Sequence, residues 1–239
     1  MGLLVPARRR GTEFLDAPHA IPGEQAVREL ADVTRTNALF GGTSAVLAEL
    51  RGCLPALPAR ATLLDVGTGL GDIPARAAAV ARRAGCTLLT LGLERAEALA
   101  RAARGRVQAA LVADAFRLPF ADRSVDVVTC SQVLHHFEEP EALALLAECD
   151  RVARRRVIVA DIRRSWWAAA GVWGASWPLG FSAWARHDGV LSVLRGFTVP
   201  ELAALARRVT PAPVAARARR GFRVTCAWTP LPHPGSRPA

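Results

Sequence analysis

Blocks of apolar residues punctuate the middle of this chain at regular intervals. Thr62–Val66, Thr87–Leu93, Val107–Ala113, Val125–Cys130 and Val157–Asp161 are short runs rich in Val, Leu and Ile. Continuous apolar runs of this length read as strands buried on both faces. Between them, Ile73–Ala84, Ala96–Arg104 and Pro140–Arg151 carry helix-forming residues. Strand–helix alternation predicts an α/β fold, a mostly parallel sheet covered by helices on both faces through right-handed crossovers. Val199–Arg208 reads as a later helix, and Arg219–Trp228 as a strand that closes the sheet. Upstream, Glu24–Leu50 reads as one or two helices interrupted at Gly41-Gly42, and residues up to Pro22 as a mobile arm. The expected organisation is an arm and helical cap (1–55), an α/β core (56–162), an insertion (163–197) and a C-terminal completion of the sheet (198–239). The Pro-rich tail TPLPHPGSRPA is expected to be disordered at its end.

The first strand runs into LLDVGTGLGD, with Asp65 ahead of Gly67, Gly69 and Gly71. A strand, a glycine turn and a helix in succession form a site where ligand meets backbone. Dinucleotide sites space their glycines G-x-G-x-x-G and face a pyrophosphate. Here the third glycine comes one residue early, and Asp72 stands where the late glycine would be. Carboxylates at Asp65 and Asp72 repel a diphosphate and suit a cationic ligand without phosphates. S-adenosylmethionine, with its sulfonium and ammonium groups, fits. Glu94 ends the second strand, about 20 residues past the glycines, where an acid takes ribose hydroxyls in this fold class. Asp114 ends the third run, and Ser131 and Gln132 end the fourth. All fall at carboxyl ends of strands, where such sheets bind ligands.

LLDVGTGLGD, LGLER, VADAFRLPF and DVVTCSQVLHHF resemble, in order and spacing, the successive motifs of class I S-adenosylmethionine-dependent methyltransferases. The resemblance is strongest from Thr62 to Asp161. It implies a Rossmann-like, mostly parallel seven-stranded sheet with an antiparallel last strand. It also implies cofactor contacts from Asp65, Gly67, Thr68, Gly69, Gly71, Asp72, Glu94, Arg95, Asp114, Ala115, Ser131 and Gln132, with Asp114 and Ala115 beside the adenine. As a bare loop acid, Asp114 would do none of this. ELADVTRTNALFGG is similar to the N-terminal segment of methyltransferases related to quinone biosynthesis; there Arg35 either pairs with the cofactor carboxylate or is a solvated surface residue. RHDGVLSVLRGFTVPEL is similar to bacterial enzymes that methylate phenolic and polyketide-derived metabolites.

The acceptor side is less defined. Ser165–Ala185 contains no charge and five of the six tryptophans. Trp166, Trp173, Trp177 and Trp184 share helical spacing, but Pro178 and three glycines oppose one straight helix. The segment reads as a transmembrane span, a structural brace, or a lid over an apolar acceptor that touches a membrane through tryptophan. The lid assigns Trp173, Trp177, Trp184 and Arg195 to the acceptor. His187, with Asp188 beside it, is a candidate base for a phenol, whose ordinary pKa is about 10; positioning is the other role open to it. His136, in the His135-His136 pair, is either a second candidate base or a structural cap. No carboxylate–histidine cluster for a metal is expected.

Composition narrows the partners. The net charge is +10, from 31 basic and 21 acidic residues, and every basic residue is arginine. The absence of lysine reads as a coding bias. The arginines are dispersed, so no nucleic-acid partner is expected. Five cysteines without a C-x-x-C pair indicate neither zinc nor a disulfide framework, and a reducing cytoplasm is the simple location. The expected function is methyl transfer to a small aromatic or apolar metabolite, at the oxygen of a phenolic or polyketide-derived hydroxyl. Two alternatives remain: methylation at carbon of a quinone precursor, and a non-catalytic cofactor-binding or membrane-associated module. The oligomeric state is not legible.

Overall fold

The computed structural model describes residues 5–11, 13 and 23–231, without the side chains at 29, 32, 33 and 35–39. Seven strands form one sheet in the order β3-β2-β1-β4-β5-β7-β6. The first five are β1 (Arg60–Val66), β2 (Thr87–Glu94), β3 (Ala109–Val112), β4 (Val125–Ser131) and β5 (Ala153–Ile162), and they run parallel. A hairpin of β6 (Ala215–Arg219) and β7 (Arg223–Trp228) completes the sheet, with β7 antiparallel to β5. This is the Rossmann-like arrangement that the strand pattern and the motifs imply. The chain reverses its direction of travel across the sheet between β1 and β4, the place where an open α/β sheet forms its crevice.

Helices cover both faces. α1 (Gly23–Leu39) and α2 (Gly42–Cys53) precede the sheet, and α3 (Asp72–Arg83), α4 (Glu97–Ala103) and α5 (Glu139–Val152) are the crossovers. α6 (Trp166–Ser176) and α7 (Ala183–Arg195) form a hairpin, and α8 (Val199–Val209) packs beside α5. Local chemistry sets these boundaries. Glu138 and Glu141 make a capping box at α5, Thr198 and Glu201 another at α8, each with proline in the first turn. Ser165 and Ser182 cap α6 and α7 by accepting from Trp167 and Ala185 amides.

The buried strands pack into a core on either side. Leu64, Val128, Val159 and Trp228 belong to one side, Leu63, Val127, Ile158 and Ala227 to the other. Alternate residues of one strand thus serve opposite faces. Trp228 is fully buried, and its indole nitrogen donates to Asp150 at 2.6 Å.

The insertion holds two helices, with Pro178 and Gly180 interrupting the apolar run between them, as the proline and glycines lead one to expect. Two expectations change. β6 is a separate strand that the sequence pattern missed; AARAR has no apolar alternation to reveal it. Part of the expected mobile arm is fastened: the Arg9 amide donates to Leu194 O at 3.0 Å, Arg8 Nε to Arg195 O at 2.8 Å, and Arg164 Nε to Pro6 O at 2.8 Å. The rest of that arm and residues 232–239 of the tail lie outside the described residues.

The α1–α2 junction rests on the β6–β7 turn. Gly221 has φ +70°, and a Cβ there would run into the Phe40 carbonyl. Arg223 Nε donates to that carbonyl at 3.1 Å, and its Nη1 to Gln132 Oε1 at 3.2 Å. One buried arginine therefore joins the helical cap, the last strand and the crevice.

Candidate active site

A cleft of about 1440 Å³ opens along the carboxyl ends of β1, β2 and β4. That exceeds a pocket for one ordinary ligand, roughly 300–1,000 Å³, so two ligands fit side by side.

One half is built by the glycine loop. The loop is held from beneath: the Gly67 and Thr68 amides donate to Leu93 O at 2.9 and 3.0 Å. Glu94 reaches back and accepts the Gly69 amide at 3.0 Å through Oε2, while Oε1 accepts the Arg95 amide at 2.8 Å. Oε1 also accepts the Ala96 amide at 3.3 Å, so Oε2 is the oxygen with a lone pair left for a hydroxyl. Gly69 has φ +54°, and a Cβ there would stand 3.0 Å from Leu30 of α1. The helical cap thus lies directly over the loop. Thr68, Gly69, Asp72, Glu94, Arg95, Asp114, Ala115, Ser131 and Gln132 all line the cleft with Gly67. Ser131 Oγ is buried without a hydrogen-bond partner. Gln132 holds φ +58°, an uncommon conformation for a side-chain-bearing residue that often marks a working site.

Asp65 and Gly71 do not line the cleft. Asp65 is 1% exposed beneath the loop and accepts Thr129 Oγ1 at 2.6 Å. Burial, and after it the acidic neighbours Asp72 and Glu94, push its carboxyl up to about 7, against the pull of its hydrogen bonds. Three carboxylates therefore converge on the loop. Gly71 is the left-handed N-cap of α3 and faces Arg106 and Val107. The Arg35 side chain lies outside the described residues.

The other half is lined by Trp167, Val172, Phe181 and Trp184 from the α6–α7 hairpin, with His135, His136 and Phe137 opposite. His135 Nδ1 is 2.7 Å from Asp161 Oδ1 and its amide donates to Oδ2 at 3.2 Å. Burial raises the Asp161 carboxyl, but the charge and hydrogen bonding of His135 and the Ile162 amide outweigh it and hold the group below its ordinary range. Glu13, buried, comes from the N-terminal arm: its oxygens lie 3.8 Å from His135 Nε2 and 3.9 Å from His136 Nδ1. Arg195 Nη1 meets Glu13 at 3.3 Å, while its Nε and Nη2 donate to the His135 and His136 carbonyls at 2.9 and 2.6 Å.

Several acceptor-side expectations are corrected. His187 is exposed, 66% at its side chain, and absent from the cleft wall; it lies 3.1 Å from Asp188, which does line the cleft. Trp173 and Trp177 face outward and line nothing, whereas Trp184 does, and Trp167 was missed. Arg195 lines the cleft, as expected, and also clamps the two-histidine turn. A carboxylate–histidine cluster exists after all: ligand atoms of Glu13, His135 and His136 lie within 4.8 Å of one another. The Arg195 guanidinium also meets Glu13, so the cluster is part of an ion network. Sequence separation hides all of these pairings; only the LHH turn is a local signal.

Residues 64–160 match the model of a family described as a methyltransferase domain. The chain carries a methyltransferase domain. No curated protein matches it. Among solved structures, a SAM-dependent methyltransferase from Aquifex aeolicus is similar at 16% identity and TM-score 0.53, over 76% of this chain and 89% of that one. Magnesium protoporphyrin IX methyltransferase (ChlM) from Synechocystis PCC 6803, solved with bound SAM, is similar at 15% identity and TM-score 0.51, over 93% and 86%. The mitomycin 7-O-methyltransferase MmcR is similar at 20% identity and TM-score 0.55, over 92% of this chain and 61% of that one. At such identities the likeness is one of fold, that of class I methyltransferases. The cofactor that the sequence motifs imply is S-adenosylmethionine. The site fits it: the Asp72 and Glu94 carboxylates line the cleft and suit a cation, and the buried Ser131 hydroxyl leaves a polar group to be satisfied.

Proposed function

We propose that this methyltransferase acts at a hydroxyl oxygen of a small aromatic or apolar molecule, with His136 as the base. The observation that carries the reading is the make-up of the second half of the cleft: aromatic walls from α6–α7 face a half-buried histidine beside a buried carboxylate. The bound cofactor supplies an electrophilic methyl group on sulfur. Gly67, Thr68, Gly69, Glu94, Asp114, Ser131 and Gln132 would hold it. The aromatic walls hold the acceptor against it and keep water out, so that the reaction becomes intramolecular. His136 would take the proton of the acceptor hydroxyl as that oxygen receives the methyl group. Glu13 orients the imidazole and steadies its positive form. His135, tied to Asp161, anchors the turn. MmcR is named for methylation at oxygen, which agrees with this reading.

His136→Ala is expected to lower turnover by about 10²–10⁴-fold with S-adenosylhomocysteine affinity unchanged. Raising the pH should partly restore a phenolic acceptor, because more phenolate forms in solution. Near-normal turnover in the variant would remove His136 as the base.

A further inference from the structure

The α6–α7 hairpin turns an apolar surface outward. α6 has no charged residue and is apolar around its whole circumference, the pattern of a helix with apolar material on every side. The fold covers only one side: Ala168 and Ala169 pack with Val193 and Leu194. Trp166, Trp167, Trp173, Trp177, Leu179 and Trp184 are 46–66% exposed. So many large apolar side chains on one hairpin exceed the scattered ones of an ordinary surface. Tryptophan joins an apolar body to a single N–H donor, and it concentrates where hydrocarbon meets water.

Length excludes a span. α6 and α7 have 11 and 13 residues, against about 20 for a crossing helix, and no helix among the described residues is long and apolar enough to cross a membrane. A short apolar hairpin of this kind lies in an interface. The charge around it selects the surface. Of the arginines in residues 163–197, Arg164 and Arg195 are buried and paired, while Arg163 and Arg186 are partly exposed, and the chain carries +10. Arg186 stacks on Trp177 at 3.7 Å, which puts a cation inside the patch. Arg9 is exposed on the arm strapped along the end of α7. Anionic headgroups complement this arrangement. The hairpin is also the wall of the cleft: Trp167 and Trp184 line the acceptor half and are exposed as well.

We propose that the α6–α7 hairpin docks on an anionic lipid surface, and that the acceptor is an amphiphile, a hydroxylated ring with an apolar tail, which enters the cleft from that surface. The acceptor clause rests on the methyl-transfer reading; the docking does not.

The test titrates the full chain with vesicles of phosphatidylglycerol and of phosphatidylcholine, following cosedimentation and tryptophan emission. Trp228 is buried, so a change in emission reports the hairpin. Partition onto phosphatidylglycerol with a blue shift is expected, weakened by salt. Trp166→Glu/Leu179→Glu, at positions outside the cleft wall, should weaken it by about tenfold or more while S-adenosylhomocysteine affinity stays unchanged, which certifies the fold. No partition onto anionic vesicles, or equal partition by the double variant, overturns the docking. A dimer of the full chain that the double variant dissociates assigns the face to a second copy and overturns it too. Failure to bind S-adenosylhomocysteine strikes the methyl-transfer reading alone. The amphiphile falls if a phenol with and without an apolar tail has the same kcat/KM in the presence of vesicles.

Discussion

Asp65 shows how one residue can be set against stability for the sake of a ligand. Its carboxyl, pushed up to about 7 chiefly by burial, sits near 3.9 in an unfolded chain. Between roughly pH 4 and 7 the folded protein keeps a proton that the unfolded chain releases, so this group makes stability fall as pH rises across that window and stay level above it. Asp65→Asn keeps an acceptor for Thr129 and abolishes the titration. The variant is expected to gain in Tm over the parent between pH 5 and pH 8, and to bind S-adenosylmethionine more weakly. Scanning calorimetry at the two pH values checks it; a Tm difference that does not change with pH would mean that Asp65 is ionised in the fold throughout.

At the scale of elements, the α6–α7 hairpin divides its aromatic residues between two tasks. Trp167 and Trp184 line the acceptor half of the cleft, while Trp166, Trp173 and Trp177 do not. Trp184→Ala should raise the acceptor KM by about tenfold, the value of a lost buried aromatic contact, with little change in cofactor affinity. Steady-state kinetics in both substrates checks this; a rise confined to the cofactor KM would put Trp184 in the wrong half. The cap elements act on the other half. α1 places Leu30 over Gly69, and the Phe40–Gly221 contact keys the cap to the β6–β7 turn, so the covering of the cofactor half depends on the last hairpin of the chain.

For the whole molecule, ligand binding and stability are linked. S-adenosylhomocysteine at 100 times its Kd stabilises a protein by about 2.7 kcal/mol, which at this length raises Tm by about 5–10 °C. Gly69→Val should lose that shift. A β-branched side chain is strained at φ +54° and also meets Leu30. Thermal melts with and without ligand check both statements, and an undiminished shift in the variant would move the site away from the loop.

What the sequence determined by itself is local. Apolar runs give five parallel strands in order, four of them largely buried and the third an exposed edge. Gly67, Gly69 and Gly71 after Asp65 impose the turn, and Glu94, Asp114, Ser131 and Gln132 follow because each ends or immediately follows a strand. These signals lie within a few residues, and backbone geometry alone translates them into positions on one edge of the sheet. The tertiary structure decided what depends on distant partners. It turned His187 to solvent and brought Glu13 from the arm to the two-histidine turn. It spent Arg195 on the carbonyls of that turn, and it made β6 a strand only because β7 offered a ladder. It also split the tryptophans between wall and outer face, since which side of α6 meets Val193 and Leu194 depends on how α7 packs and not on the period of the helix.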